Sequence, residues 1–227
     1  MTLTVKWFGH SAFQLVYNGT VILIDPFLSN PLSPLPPGEL TQADCIIVTH
    51  GHADHISDVP AIAQQTGAPV VANFEVANWL SGQGVEQTIG HNPGGGAAYD
   101  FGRVEFTPAL HSSSLPDGSY GGVACGVILF FPEMAVYHAG DTALFSDMQL
   151  LGDKGLGLAI VPIGDYFTMG PDDSVRALQY LKPQYAMPMH YNTFPPIEQD
   201  ASAWANKVTS QTKANPIVLD PGGEHTF

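Results

Sequence analysis

The sequence is poor in basic residues. Only 7 Lys and Arg stand against 21 Asp and Glu in 227 residues, which gives a formal net charge of −14. A protein that binds nucleic acid needs clustered Lys and Arg to replace the counterions of the phosphates, and the seven basic residues here are scattered. An anionic membrane surface is disfavoured for the same reason. We therefore expect neither nucleic acid nor membrane among the partners.

Long apolar runs and cysteines are also scarce. No stretch approaches the roughly 20 apolar residues of a membrane-spanning helix. The first ten residues, MTLTVKWFGH, lack the apolar segment of a secretion signal. The 2 cysteines, Cys45 and Cys125, each lie in an apolar stretch, which is typical of buried thiols. Together these features predict a cytoplasmic protein.

Short apolar runs and helix-like segments alternate along the whole chain. Strands are predicted at 45–49, 103–110, 135–139, 156–163 and 185–189, and helices at 56–66, 171–181 and 197–212. The pair Asn18-Gly19 between two apolar runs predicts a hairpin near the N-terminus. No linker or charge block interrupts the alternation. We therefore expect a single α/β domain over residues 1–227.

The densest group of potential metal ligands is the segment THGHADH, directly after an apolar run. In an extended backbone His50 and His52 point to the same side, so they can share one ion. Asp54 and His55 are adjacent, and a turn into the next helix would direct them towards a second ion. A helical HExxH zinc site is disfavoured because Gly51 interrupts the segment and no Glu is present. The spacing therefore predicts two metal ions more readily than one.

Three further side chains of ligand type follow predicted strands, namely His111, Asp141 and His190. The carboxyl ends of strands form the edge at which α/β sheets bind ligands. A single histidine at such a place is more often structural, but three such residues together with the 50–55 segment favour one common site.

These motifs, in this order, resemble those of the metallo-β-lactamase superfamily: HxHxDH at 50–55, a lone His, GDT at 140–142 and a late His. Longer segments resemble one branch, the bacterial metal-dependent hydrolases related to L-ascorbate-phosphate lactonase. They are WFGHSAF, LIDPF, ANFE, PALHSSS, HAGDTALFSDM, PIGDYFTMGPDD and PMHYNTFP. The resemblance implies a four-layer αββα sandwich, with the metals at one edge between the sheets.

The resemblance also implies which residues hold the metals. The first ion would be bound by His50, His52 and His111, the second by Asp54, His55 and His190, and Asp141 would bridge the two. Nitrogen and oxygen ligands of this kind accept zinc, manganese and iron. Zinc is our first choice because its affinity is the highest of the three. Manganese stays open because of the lactonase resemblance, and iron stays open as well.

The activity implied is hydrolysis by a metal-bound hydroxide, with Asp54 as the catalytic residue that orients or deprotonates the water. Two divalent ions and one hydroxide among five neutral imidazoles and two carboxylates leave a site charge of about +1, which favours a developing oxyanion. We expect a small-molecule substrate, either a carbonyl ester or a lactone, and leave homo-oligomer formation open.

Two alternative activities stay open. One is a phosphodiesterase or nuclease of the same superfamily, which the scarcity of basic residues disfavours. The other is an iron-dependent redox enzyme on the same scaffold, whose diiron version typically has a carboxylate where this chain has His52.

Several other side chains are weaker candidates. Asp25, in LIDP, is expected to support the 50–55 loop, and His138 to be buried near the site. Substrate contacts are predicted for His10, Asp165 and Asn192, which follow apolar runs or a ligand. The loops expected to determine specificity are 26–40, 91–100 and 112–122.

Overall fold

The computed structural model describes residues 2–227. Its first sheet has seven strands in the order β14-β1-β2-β3-β4-β5-β6. These strands are β1 (Leu3–Trp7), β2 (Phe13–Tyr17), β3 (Thr20–Ile24), β4 (Cys45–Ile47), β5 (Val70–Asn73), β6 (Thr88–His91) and β14 (Glu224–Thr226). Pairing is antiparallel from β14 to β3 and parallel from β3 to β6.

The second sheet repeats this pattern of strand directions. It also has seven strands, in the order β7-β8-β9-β10-β11-β12-β13. These are β7 (Gly96–Tyr99), β8 (Gly102–Pro108), β9 (Cys125–Phe130), β10 (Ala135–His138), β11 (Leu156–Pro162), β12 (Tyr185–Met189) and β13 (Asn215–Pro216). Pairing is antiparallel from β7 to β10 and parallel from β10 to β13.

Helices cover the outer face of each sheet. They are α1 (Ala53–Ile56), α2 (Val59–Thr66), α3 (Phe74–Gly82), α4 (Met148–Gly152), α5 (Pro171–Leu181) and α6 (Ala201–Gln211). Ile62 of α2 and Val76 of α3 belong to the same buried cluster as Leu23 and Ile46 of the first sheet. On the other side Trp204 of α6 is buried and donates a hydrogen bond of 2.7 Å to Ser174 of α5. The predicted αββα sandwich is therefore confirmed.

The two sheets share one core. Along β1 the side chains alternate between buried and half-buried, as expected for a strand with one face towards a partner sheet. Trp7 and Ile24 of the first sheet belong to the same buried cluster as Val127 of the second. Cys45 and Cys125 also lie in this cluster, and burial raises the pKa of each thiol to about 12. Both cysteines are free, as the sequence predicts.

Several predicted boundaries differ from those observed. The helix predicted at 56–66 begins instead at Val59, because Pro60 lacks an N–H and fits only the first turn of α2. The helix predicted from residue 197 begins at Ala201, where the side chain of Asp200 accepts a hydrogen bond from the N–H of Ala203. The sequence does not predict α1, α4 or the strands β6, β7, β13 and β14, which are too short for a clear hydrophobic period. Within residues 2–227, no helix is both long and apolar enough to cross a membrane.

Candidate metal centre

One edge of the sandwich gathers the loops that follow β1, β3, β4, β8, β10, β11 and β12. Backbone strain is concentrated there. Of the seven non-glycine residues with positive φ in residues 2–227, five follow strands at this edge: His10, Asp25, Asp165, His190 and Asn192. The left-handed region is costly for side chains with a Cβ, and such residues cluster at functional sites. The two exceptions are Asn18 in a hairpin and Lys182 at the end of α5.

The loop after β4 carries four of the predicted ligands. His52 has an extended backbone (φ −65°, ψ 147°) and immediately precedes α1, so Asp54 and His55 occupy the first turn of that helix. His50 and His55 are fully buried, whereas 30% of the Asp54 side chain is exposed. The change from extended to helical backbone is the turn that the spacing of the segment predicts.

The structure brings His50, His52 and His111 together in a first cluster, in which one ring nitrogen from each residue lies within 4.8 Å of the others. His50 Nε2 is 3.0 Å from His52 Nδ1. The ring centre of His111 lies 5.2 Å from that of His50 and 5.0 Å from that of His52. This set is the one predicted for the first ion.

A second cluster contains Asp54, His55 and His190, the set predicted for the second ion, together with His10. Asp54 Oδ2 is 3.9 Å from His190 Nε2 and 3.1 Å from His10 Nε2. The two clusters lie side by side, since the ring centres of His50 and His55 are 4.1 Å apart.

Asp141 lies between the two clusters and is almost fully buried. Its Oδ2 atom is 3.0 Å, 3.3 Å, 3.6 Å and 3.9 Å from the Nε2 atoms of His190, His55, His111 and His50, respectively. Two of these imidazoles belong to each cluster. Asp141 therefore lies close to imidazoles of both clusters.

Asp25 holds the loop after β4 in place, as the sequence predicts. Its Oδ1 atom accepts a hydrogen bond from the N–H of Thr49 (2.7 Å), and its Oδ2 atom accepts one from the Thr49 hydroxyl (2.6 Å). His55 Nδ1 lies 2.8 Å from the same Oδ2 atom, so the proton on Nδ1 is donated to Asp25. The Nε2 atom of His55 is thereby left free to bind a metal.

His50 is oriented in the same way, since its Nδ1 atom lies 3.0 Å from the Thr49 hydroxyl. His138 is buried nearby, as expected. It accepts a hydrogen bond from the N–H of Gly140 and contacts the carbonyl oxygen of Ser11.

The buried charges of the site shift the pKa values of its members strongly. For Asp141, burial opposes ionisation, but His190 and His55 hold its pKa well below the ordinary value. For His55, burial opposes protonation, but Asp141 and Asp25 raise its pKa well above the ordinary value. Burial, reinforced by His55, lowers the pKa of His50. Without a bound cation, the site therefore keeps its carboxylates charged by holding a proton on an imidazole.

The donor set fits divalent metal ions. His55 Nε2, Asp141 Oδ1 and His190 Nδ1 are buried atoms without a hydrogen-bond partner in residues 2–227. Such groups are costly unless a ligand satisfies them. Imidazole nitrogens and carboxylate oxygens suit zinc, manganese and iron. A bound cation would replace the proton that His55 otherwise carries.

The residues predicted to contact substrate behave differently from one another. His10 is fully buried, and its ring nitrogens lie near Asp54 and Thr193, so it offers no free polar atom to a substrate. Asp165 and Asn192 are exposed. Asn192 Oδ1 accepts a hydrogen bond of 2.7 Å from the N–H of Gln199, and no hydrogen bond or ion pair within residues 2–227 joins it or Asp165 to a predicted metal ligand.

Two of the three predicted specificity loops contact the site. Phe27 in loop 26–40 lies 5.9 Å from His10 between ring centres, and Ser113 in loop 112–122 accepts a hydrogen bond from the N–H of Gly51. The segment 91–100 instead contains β7, which pairs with β8 in the second sheet. The sequence analysis missed Thr193, for which the only signal is its place three residues after His190 in PMHYNTFP.

Comparison with known proteins identifies the family to which the chain belongs. Residues 20–191 match the family model of the beta-lactamase superfamily domain. A UPF0173 metal-dependent hydrolase from Thermus thermophilus is 49% identical over 204 residues, covering 89% of this chain and 90% of the relative. A UPF0173 metal-dependent hydrolase from Bacillus mycoides is 46% identical, covering 99% of this chain and 100% of the relative.

A solved structure supports the same assignment. Igni18, a metallo hydrolase from the archaeon Ignicoccus hospitalis, matches with a TM-score of 0.93 and 39% identity, covering 100% of this chain and 99% of that one. Fold and sequence agree over nearly the whole chain. The chain therefore belongs to the metallo-β-lactamase superfamily and, within it, to the family of metal-dependent hydrolases that it matches.

Proposed function

We propose that the protein is a dinuclear metal-dependent hydrolase of small carbonyl esters or lactones. We propose two metal ions because of the position of Asp141. Its Oδ2 atom lies within 3.9 Å of two imidazoles from each cluster. A carboxylate in this position serves both clusters at once. A single ion would leave the donors of the other cluster without a partner.

When bound, the two ions would activate a water molecule and polarise the substrate carbonyl. The role proposed for Asp54 follows from its partial exposure, with 30% of its side chain accessible beside otherwise buried ligands. Its carboxylate can reach both the second cluster and a water molecule in the open part of the site. We assign it the orientation of that water and the acceptance of its proton.

The distribution of cations favours a carbonyl substrate over a phosphoester. Lys154 and Arg103 pair with Glu105, and Lys207 pairs with Asp172. Lys6 lies over the ring of Phe8, and Arg176 over that of Tyr180. None of the ion pairs that Lys and Arg form within residues 2–227 includes a predicted ligand. A phosphoryl group would lack the Arg or Lys partners that usually bind it.

Exposed apolar side chains near this edge fit a substrate with an apolar part. Leu110, which directly precedes His111, and Tyr120, in loop 112–122, are exposed. Tyr166 and Phe167 are also exposed and follow β11, whose end adjoins β12: the N–H of Ile163 donates a hydrogen bond to the carbonyl of Met189. Ligand sites combine such apolar surface with a few polar groups.

The test begins with the metal. Protein purified without chelator is analysed for zinc, manganese and iron, and then assayed with the metal found. The panel contains lactones and carboxylic esters on one side and phosphodiesters and RNA on the other. Asp141→Ala protein from the same purification is the control for contaminating hydrolases. We expect two ions per chain, with zinc as the first choice, and turnover of at least one lactone or ester by the wild type alone.

Three outcomes would contradict this proposal. Fewer than two ions per chain after supplementation with zinc and manganese would exclude the dinuclear site. Turnover of phosphodiesters without turnover of any lactone or ester would favour the phosphodiesterase alternative. Visible absorption from bound iron, together with an absence of hydrolysis, would favour the redox alternative.

A further inference from the structure

A chain of hydrogen bonds runs from Thr193 through His10 to Asp54. The Thr193 hydroxyl lies 2.9 Å from His10 Nδ1, and His10 Nε2 lies 3.1 Å from Asp54 Oδ2. The His10 bond is the only hydrogen bond of the Asp54 side chain within residues 2–227. The three residues come from three separate loops, so the tertiary fold alone brings them together.

The chemistry of the three groups fixes which atom donates each hydrogen bond in this series. An ionised carboxylate only accepts hydrogen bonds, so the proton between His10 and Asp54 belongs to His10 Nε2. In a neutral imidazole the other nitrogen is then an acceptor, so the Thr193 hydroxyl donates to Nδ1 at 2.9 Å in preference to the carbonyl oxygen of Tyr191 at 3.4 Å. The hydrogen bonds are therefore donated from Thr193 to His10 and from His10 to Asp54.

His10 is held in place by more contacts than Asp54, the residue to which its Nε2 atom is bonded. Its backbone has φ 53°, and its carbonyl oxygen accepts hydrogen bonds from the indole of Trp7 (2.9 Å) and the N–H of His190 (3.0 Å). The rings of Phe27 and Phe194 lie 5.9 Å and 5.6 Å from that of His10. Asp54, by contrast, is partly exposed on the short helix α1.

We propose that His10 and Thr193 are positioning residues for Asp54, holding its carboxylate towards the second cluster. This inference rests on the proposed function, because it takes Asp54 as a ligand of the second ion. His10 is close enough to His55 and His190 to be counted as a ligand itself. Its hydrogen bond to Asp54 argues otherwise, because an ionised carboxylate keeps the proton on His10 Nε2, and a protonated nitrogen cannot bind a metal. Partners of this kind usually affect metal affinity by about 10- to 100-fold.

The test uses two matched pairs of variants. His10→Gln keeps a side-chain N–H near the Nε2 position, whereas His10→Leu removes it at similar size, and both residues meet the same backbone strain. Thr193→Ser keeps the hydroxyl, whereas Thr193→Val removes it at the same shape. Each metal-free protein is titrated with Co²⁺ in competition with a chelator, and the visible absorption of each cobalt equivalent is recorded.

We expect His10→Leu to bind the second equivalent about 10- to 100-fold more weakly than the wild type and with an altered absorption band. His10→Gln and Thr193→Ser should stay close to the wild type, and Thr193→Val should show a smaller loss than His10→Leu. The first equivalent of Co²⁺ should bind with wild-type affinity in all four variants. If His10→Leu does not fold, the two Thr193 variants decide the question by the same measurements.

The proposal is overturned if His10→Leu binds both equivalents with wild-type affinity and absorption. It is also overturned if His10→Gln loses one whole equivalent while Thr193→Val binds as the wild type does, because His10 would then be a ligand. Failure of the proposed function is separate from these outcomes. It would appear as wild-type protein that binds fewer than two Co²⁺ ions at saturation.

Discussion

The two halves of the chain, β1–β6 and β7–β13, build their sheets in the same way but use the loops at the metal edge differently. In each sheet the central strand, β3 or β10, separates antiparallel from parallel pairing. Equivalent strands therefore present side chains at equivalent places. His10 follows β1 by three residues, and His111 follows β8, the equivalent strand, by three residues. Asp25 directly follows β3, whereas Asp141 lies three residues after β10, the equivalent strand.

Side chains that follow equivalent strands nevertheless have different partners. His10 is fully buried with both ring nitrogens bonded, whereas His111 is partly exposed and its Nε2 atom faces Asp141. Asp25 makes hydrogen bonds with Thr49 and His55, whereas Asp141 Oδ1 has no hydrogen-bond partner in residues 2–227. The scaffold determines where a side chain lies. Its hydrogen-bond partners determine whether it can bind metal or only orient a neighbour.

Asp141→Ala should have the largest effect. It should lose most of the occupancy of at least one ion, and hydrolysis should fall by more than about 100-fold, since loss of an outer partner alone costs about 10- to 100-fold. Metal analysis and kcat/KM measure these losses. Asp44→Ala is the control, because Asp44 precedes β4 and accepts a hydrogen bond from the N–H of Val21. Two ions per chain in Asp141→Ala would contradict the bridging role.

Asp54→Asn should keep the fold and lose turnover by about 10²- to 10⁴-fold, the range expected for loss of a general base. The amide keeps the shape of the side chain but cannot accept the proton. Circular dichroism checks the fold, and single-turnover kinetics measure the chemical step. Near-wild-type turnover would remove Asp54 from the mechanism.

Asp25→Asn should weaken metal binding by about 10- to 100-fold, because an amide cannot accept all of the hydrogen bonds that Thr49 and His55 donate. Asn tolerates the positive φ of this position. Asp25 also helps to raise the pKa of His55, although burial opposes this. Its loss lowers that pKa, so protons compete less with the metal. The deficit should therefore be smaller near pH ~6 than near pH ~8 in a chelator-competition titration. A deficit that grows as the pH falls would contradict this reasoning.

Asp165→Asn should have the smallest effect. Asp165 follows β11 by three residues, as His50 follows the equivalent strand β4, but it is exposed. Metal affinity should stay within about twofold of the wild type, as for most surface substitutions. His50→Ala, measured in the same titration, should lose the first ion. A marked loss of bound metal in Asp165→Asn would show that a side chain three residues after its strand binds metal even when it is exposed.

Much of this architecture could be predicted from the sequence. The segments of β8, β11 and β12 were predicted as strands, and the resemblance to the metallo-β-lactamase superfamily implied the sandwich. The clusters that contain His50, His52 and His111, and Asp54, His55 and His190, are brought together as predicted, although their metals stay a prediction. The short strands β6, β7, β13 and β14 could not be predicted, since two to four residues show no clear period and depend on neighbours for pairing.

The sequence by itself determined the chemical character of the site, because imidazoles and carboxylates placed just after apolar strands can meet only at one edge of a sheet. Only the tertiary structure decided the role of each residue. His10 and Thr193 are 183 residues apart in the chain, and their contact depends on two sheets packing against each other. Hydrogen bonds between distant loops leave no periodic signal in a sequence, yet they fix which nitrogen of a histidine is free. The free nitrogen distinguishes a histidine that can bind a metal from one that orients a metal ligand.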